Sequence, residues 1–295
     1  MTIRGPRPFS RLAGLLFVTP SLALVGVFFI APLGLTAWMS LNDWPLFGGA
    51  HYIGIANYRE IPHDSIATSA FWFTVKYTLL VTVAIFGVAT GLTYLVQRSM
   101  RGVALIRTAF FVPVVIGFAA SSLLWGWLYN TEVGAIPILL DKAGITQGPI
   151  DVLAGPTSAL IAVIVMVTWK TAGFTMILLL VGYQSIPQEL LDASAVDGSK
   201  RWQTLRYITL PLMRRTIALA LILSVTGSFL AFDQFYIMTH GGPDNSTITI
   251  VYQIVRSAFV LFRVGYAGAL AIVLLAVLVV LNALQFLLLR ERSRA

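Results

Sequence analysis

The sequence predicts an all-α integral membrane protein with six transmembrane helices and both termini in the cytoplasm. Composition is the first observation behind that reading. Hydrophobic residues make up 58% of the 295 and charged residues only 11%, with a mean hydropathy of +0.85. So little polar surface does not coat a soluble globule. The second observation is the form of the apolar sequence. Runs at about 12–39, 71–96, 103–129, 158–183, 215–239 and 264–289 each reach the roughly 20 residues that a spanning helix needs. Strands of a barrel would alternate over about ten residues instead. The third is charge placement. Fourteen of the twenty cations fall before helix 1, between helices 2 and 3, between helices 4 and 5, or after helix 6. Asp43, Glu60, Asp64, Glu132, Asp141, Asp151 and Asp244 fall in the opposite loops. The positive-inside rule then places both termini and the 184–214 loop in the cytoplasm. The net charge of +8 is thereby a statement of topology, and no nucleic-acid partner is expected.

The resulting plan is a cytoplasmic tail at 1–11, one six-helix domain over 12–290, and a cytoplasmic tail at 291–295. Helix 1 follows three arginines, as a secretory signal would, but its run is too long for a signal core and no small-x-small cleavage site follows it. In helix 2, Lys76 lies near the outer end and reads as a snorkelling cation. The Gly87/Gly91 pair there reads as a close helix-packing surface. Helix 4 carries Lys170 at mid-depth. An ionisable residue so deep is a functional candidate by default, or a structural cation held by carbonyls or an ion pair. Asp233 with Gln234 lies in the outer third of helix 5.

Residues 185–211 are polar and patterned, unlike their flanks. Ser185, Pro187 and Gln188 form a helix-start signature, and Glu189 and Asp192 follow where the helix dipole favours negative charge. Ile186, Leu190, Ala193 and Val196 recur at helical spacing. Gly198 is a natural helix stop, after which Trp202, Leu205 and Tyr207 or Ile208 form the face of a second short helix. A helix–glycine–helix element of this kind either lies on the lipid surface or docks into another protein's groove.

Several chemistries are absent. With no cysteine there are no disulfides, thiolate metal sites or thiol nucleophiles. No G-x-x-x-x-G-K-[ST], H-E-x-x-H or G-x-S-x-G occurs, and His51, His63 and His240 are scattered. No catalytic residue, metal site or cofactor is therefore expected in this chain.

Ile186 through Gly198, with Ile208-Thr209-Leu210-Pro211 after it, resembles the "EAA" coupling loop of ABC-importer permeases. The likeness is nearest to the binding-protein-dependent carbohydrate permeases of the maltose and glycerol-phosphate type. Asp192-Ala193-Ser194 stands for the motif's Glu-Ala-Ala, and Asp197-Gly198 matches it. Phe232-Asp233-Gln234-Phe235 through Gly241-Gly242-Pro243, and Asn57-Tyr58-Arg59, are similar to further family motifs. The resemblance implies a type I ABC importer transmembrane domain in a prokaryotic inner or plasma membrane. It implies a heterodimer with a second permease, two ATPase subunits holding the ATP and Mg, and an extracytoplasmic binding protein delivering a carbohydrate or polyol. The outer loops 40–70 and 130–157 with Gly241 to Asp244 would receive that protein. Glu189, Asp192, Ala193, Ser194, Asp197, Gly198 and Trp202 would couple to the ATPase. Trp169, Lys170, Gly173 and Phe174 on helix 4, with Asp233 and Gln234 on helix 5, would line the substrate pathway, and Trp169, Phe174 and Phe232 would offer rings to a sugar. The alternative is a secondary transporter driven by an ion gradient, a class that commonly shows inverted repeats with broken helices and intramembrane carboxylates.

Overall fold

A computed structural model describes residues 11–45, 48–97, 101–146, 148 and 150–289. Residues 1–10 of the expected N-terminal tail and the whole C-terminal tail, with Arg4, Arg7, Arg98, Arg290, Arg292 and Arg294, lie outside the described residues, and Arg11, the last of the expected N-terminal tail, begins α1. In chain order the elements are α1 (Arg11–Val25), a π-helical turn (Gly26–Ile30), α2 (Ala31–Met39), the antiparallel strand pair β1 (Asn42–Asp43) and β2 (His51–Tyr52), α3 (Ala56–Glu60), α4 (Ser65–Val96), α5 (Val103–Val115), α6 (Phe118–Leu128), α7 (Ala135–Lys142) and α8 (Pro156–Gln184). There follow α9 (Gln188–Val196), α10 (Arg201–Thr204), a second π-helical turn (Leu205–Thr209), α11 (Leu210–Leu212), α12 (Arg214–Phe229), a third π-helical segment (Phe235–Thr239), α13 (Ile250–Phe259) and α14 (Val264–Leu289). Four helices are long and apolar enough to cross a membrane, and six spans result if each of two bent pairs counts as one.

Local chemistry sets several of these limits. α4 begins upstream of its apolar run because Asp64 caps it, accepting from the backbone N–H groups of Ile66 (2.9 Å) and Ala67 (3.1 Å). Such a cap contributes about 1 kcal/mol. At the other end of α4, Arg107 donates to the Val96 carbonyl at 2.7 Å, a cation meeting a helix C-terminus. The third apolar run is not one helix. It breaks between α5 and α6 with a bend of 101°. The fifth ends at Phe229, and Ala231 and Phe232 are not helical.

The described chain divides into two compact units, residues 11–61 with 254–273, and residues 62–253 with 274–289. In the first, Asn57 is buried and its amide donates to the carbonyls of Ser40 (2.9 Å) and Asn42 (3.0 Å). Tyr58 shares a 2.6 Å hydrogen bond with Ser40. Glu60 and Arg263 form a two-point ion pair at 2.7 and 2.6 Å. The Asn57-Tyr58 dipeptide thus ties the end of α2 to the loop that follows.

The second unit is built around α8, the most buried of the long apolar helices. One side of its core joins Tyr77, Val81 and Ile85 of α4 to Val163 and Met166 of α8 and to Phe235 and Met238. Another joins Ala89, Leu92 and Val96 of α4 to Met176, Leu179 and Leu180 of α8 and to Met213. Within a bilayer such packing replaces the hydrophobic effect as the force between helices, and small residues permit close approach. Gly173 and Gly182 of α8 do this. A Cβ on Gly173 would collide with the Phe110 carbonyl of α5, and one on Gly182 would lie 2.8 Å from Thr216 of α12. The Gly87/Gly91 pair is exposed and meets nothing within 4 Å, so the packing read from its spacing does not occur among the described residues.

Candidate transport and coupling sites

Lys170 is 4% exposed. Its ammonium lies at the break between α5 and α6 and donates to the carbonyls of Pro113 and Val114, both at 3.4 Å, and of Ile116. Three donors thus meet three acceptors. The Phe118 ring lies 4.6 Å from the same nitrogen, within cation–π range. The last carbonyls of any helix lack intrahelical partners and carry the negative end of its dipole. A cation is the complement they require. Gly173, one turn further along α8, brings the two backbones close enough for Lys170 to reach. Of the two roles open to Lys170 on sequence grounds, this geometry is the carbonyl-held one.

The interruption after α12 is different. Thr249, fully buried, donates to the Ala231 carbonyl at 2.7 Å, and the Ile250 N–H donates to Thr74 at 2.9 Å. Residues 241–250 therefore fold back over the break. Their turn is held by Thr247, which donates to the Gly242 carbonyl and shares a hydrogen bond with Thr239, each at 2.7 Å. Gly241 takes φ +77°, and a Cβ there would come within 2.8 Å of Ile248. Fold-back also brings the Tyr252 ring to within 6.0 Å of Phe232 and 5.5 Å of Tyr236, which themselves stack at 5.0 Å. Beside these rings stands Asp233. It is half-buried, and no side chain among the described residues pairs with it.

Gln234 points elsewhere. It is 4% exposed and its amide donates to the Tyr77 hydroxyl at 3.2 Å, inside the core that Phe235 anchors by edge-on contact with Tyr77 and Phe73. Trp169, 36% exposed, stacks obliquely on Trp125 of α6 at 5.5 Å, and Phe174 is 38% exposed. The rings expected to act together thus belong to separate groups, one around Trp125 and one around Tyr236. Tyr236 and Tyr252 escaped sequence reading because only the fold-back joins them.

The patterned loop forms two short helical segments. Ser185 does not start the first. It closes α8, donating to the Gly182 carbonyl at 2.8 Å, while Ile186 drops into the core and α9 starts at Gln188. α9 ends in a Schellman motif. Gly198 has φ +71°, its N–H donates to Ala195, and the Ser199 N–H donates to Ser194 at 3.0 Å, as that motif requires. Leu191 and Ser194 face inward. Glu189, Asp192, Ala193, Asp197 and Gly198 are exposed, with Leu190 (44%), Val196 (88%) and Trp202 (63%) among them. The face open to a partner mixes apolar anchors with carboxylates.

Several helices able to cross a membrane, two of the apolar runs interrupted, and a helical loop ended by a Schellman motif make this a polytopic membrane protein. The chain belongs to the family of binding-protein-dependent transport system inner membrane components, whose profile matches residues 5–294. It is 32% identical over 273 residues to the probable ABC transporter permease protein YurN of Bacillus subtilis, covering 92% of this chain and 93% of that one. It is 29% identical over 289 residues to the sn-glycerol-3-phosphate transport system permease protein UgpA of Escherichia coli, covering 97% and 96%. Its fold is shared, at a TM-score of 0.83 and 19% identity over 96% of both chains, with a subunit of a bacterial alginate ABC transporter solved with an alginate pentasaccharide-bound periplasmic protein. Among the described residues no group of three or more His, Asp or Glu could hold a metal ion.

Proposed function

We propose that this chain is the membrane-spanning permease subunit of an ATP-driven importer that passes a carbohydrate or related polyol from an extracytoplasmic binding protein to the cytoplasm. The observation that carries the solute class is the Asp233 site. A carboxylate accepts hydrogen bonds only, and a sugar offers a fan of hydroxyl donors. The Phe232, Tyr236 and Tyr252 rings suit its apolar C–H face. The glycerol-phosphate and alginate systems among the relatives and structural neighbours support the same class. Within this reading Asp233 binds solute, Trp169 and Phe174 line the path, and Lys170, Gly173 and Gln234 hold its walls in place.

Coupling falls to the 185–211 loop on the cytoplasmic side. Leu190, Ala193, Val196 and Trp202 would seat in a cleft of an ATPase subunit, with Glu189, Asp192 and Asp197 at its rim, and Gly198 sets the angle between the two helical segments. A second permease completes the pathway, a pair of ATPases supplies the ATP and Mg chemistry, and the outer loops with Gly241 to Asp244 receive the binding protein. The experiment is ATP-driven uptake into proteoliposomes holding both permeases and the ATPases, with binding protein outside, across a panel of labelled sugars and polyols. Saturable, ATP-dependent uptake of one panel member is expected. Uptake by this chain alone, driven by an ion gradient and indifferent to ATP, would overturn the reading.

A further inference from the structure

Between the patterned loop and the ends of α4, α8 and α12 lies a cavity of about 970 Å³, which shares Asp192 and Trp202 with the coupling surface and is otherwise lined by residues to which the transport reading gives no role. Pockets for small ligands span about 300–1,000 Å³, so this one is of ligand size. Its deep wall is apolar, from Phe86, Leu179, Met213 and Ile217, and three aromatic residues with polar tips, Tyr94, Tyr183 and Trp202, also line it. Four planar polar groups, Gln97, Gln188, Asp192 and Arg201, stand among them. Gln188 donates to Asp192 at 3.0 Å, and the lining holds one cation and one anion, so it has no net formal charge.

Thr209 is the telling residue. It is 7% exposed and lines the cavity, yet its hydroxyl has no partner among the described residues. Thr74, Thr93, Thr171 and Thr239 return their hydroxyls to the carbonyl four residues back, whereas the buried hydroxyls of Thr78 and Thr168, which line no part of this cavity, are unpaired like that of Thr209. Thr209 closes the π-helical turn Leu205–Thr209 and makes no such bond. π-helical insertions of this kind recur at functional sites. The Tyr183 hydroxyl, on the facing helix, is likewise without a partner among the described residues. A lipid acyl chain would leave both groups unmet.

We propose that this cavity is a second solute site, facing the cytoplasm, which takes a neutral, hydroxyl-rich molecule of mono- to disaccharide size and, when filled, fixes the coupling loop against the spanning helices. It rests on the reading of 185–211 as the cytoplasmic coupling loop. Both helical segments of the loop form one wall, and α4, α8 and α12 form the other. A ligand bridging the two walls resists any movement of one against the other. Import would then slow as hydroxylated solute accumulates inside.

The test uses the complete complex in lipid nanodiscs without binding protein, with Asp233→Ala in the background to weaken the translocation site. ATP hydrolysis is measured against glucose, maltose and glycerol, each variant relative to its own rate without solute. At least one probe should lower the rate saturably. Thr209→Val with Tyr183→Phe should raise the half-effective concentration about ten-fold, since each lost hydrogen bond weakens binding by roughly three- to ten-fold. Thr209→Ser should restore the response. No response to any probe, or a response indifferent to the double substitution, overturns the proposal. So does quenching of Trp202 emission by a brominated phospholipid that none of the probes relieves. A complex that imports carbohydrate without this response defeats only the second site. A complex that shows the response but imports no carbohydrate defeats only the assigned transport function.

Discussion

Two of the long apolar runs are interrupted, and the interruptions are filled in opposite ways. At the break between α5 and α6 the carbonyls of Pro113, Val114 and Ile116 all accept from one cation, Lys170, which has no donor left over. The Pro113 carbonyl also accepts from the Ile116 N–H at 3.3 Å. At the break after α12, Thr249 and Thr74 satisfy the backbone, and the charged residue beside it, Asp233, is left without a partner among the described residues. Irregular backbone at membrane depth survives only where its polar groups are met or where it lines a cavity. The first break is met and reads as architecture. The second is met too, so its carboxylate is surplus to structure, and a surplus charge just beyond a spanning helix calls for a solute or a partner.

The largest expected effect is on the first break. Lys170→Met leaves the Val114 and Ile116 carbonyls without this donor, and unmet buried polar groups cost about 1–3 kcal/mol each. Assembly and melting temperature of the complex should fall steeply, and uptake should fall only in proportion to the complex that remains. Asp233→Ala comes next. A hydrogen bond to a charged group is worth roughly 1.5–3 kcal/mol, so transport efficiency should drop about ten- to a hundred-fold while the melting temperature holds. Gly198→Val forces a β-branched residue into left-handed backbone, at about 1–2 kcal/mol, and opens the Schellman motif. ATP hydrolysis should persist while uptake per ATP falls, measured on the same proteoliposomes. Gln234→Leu is the smallest. It removes one neutral hydrogen bond to Tyr77 worth about 1 kcal/mol, and should lower stability slightly without touching solute affinity. A large affinity loss there would move Gln234 from the wall to the site.

The long helices were legible because twenty apolar residues in a row have few other folds, and Gly198 was legible because few other residues adopt φ +71°. The breaks were not. Apolar sequence continues through Ile116 and Gly117, so hydropathy reads one helix where the chain turns through 101°. The cation that meets the carbonyls at that turn is Lys170, a residue 54 positions away from Ile116 in sequence. Ser185 misled for a related reason. Its spacing to Gln188 suits a helix start, but α8 runs on to Gln184 and takes Ser185 as its own end. At the candidate site Asp233 could be named from its place in an apolar run, whereas Tyr236 and Tyr252 needed the turn at 241–249. The inward course of Gln234 follows from the Tyr77 hydroxyl on a distant helix, which no local pattern announces.

The measurement that bears most directly on the contrast between the two charges is uptake per assembled complex and melting temperature, taken together on Lys170→Met and Asp233→Ala. The account predicts a crossed result. The lysine variant should lose thermal stability and keep its uptake per surviving complex, and the aspartate variant should keep its stability and lose about ten- to a hundred-fold in uptake. Uptake lost at Lys170 with stability intact, or stability lost at Asp233 with uptake per complex intact, would contradict it.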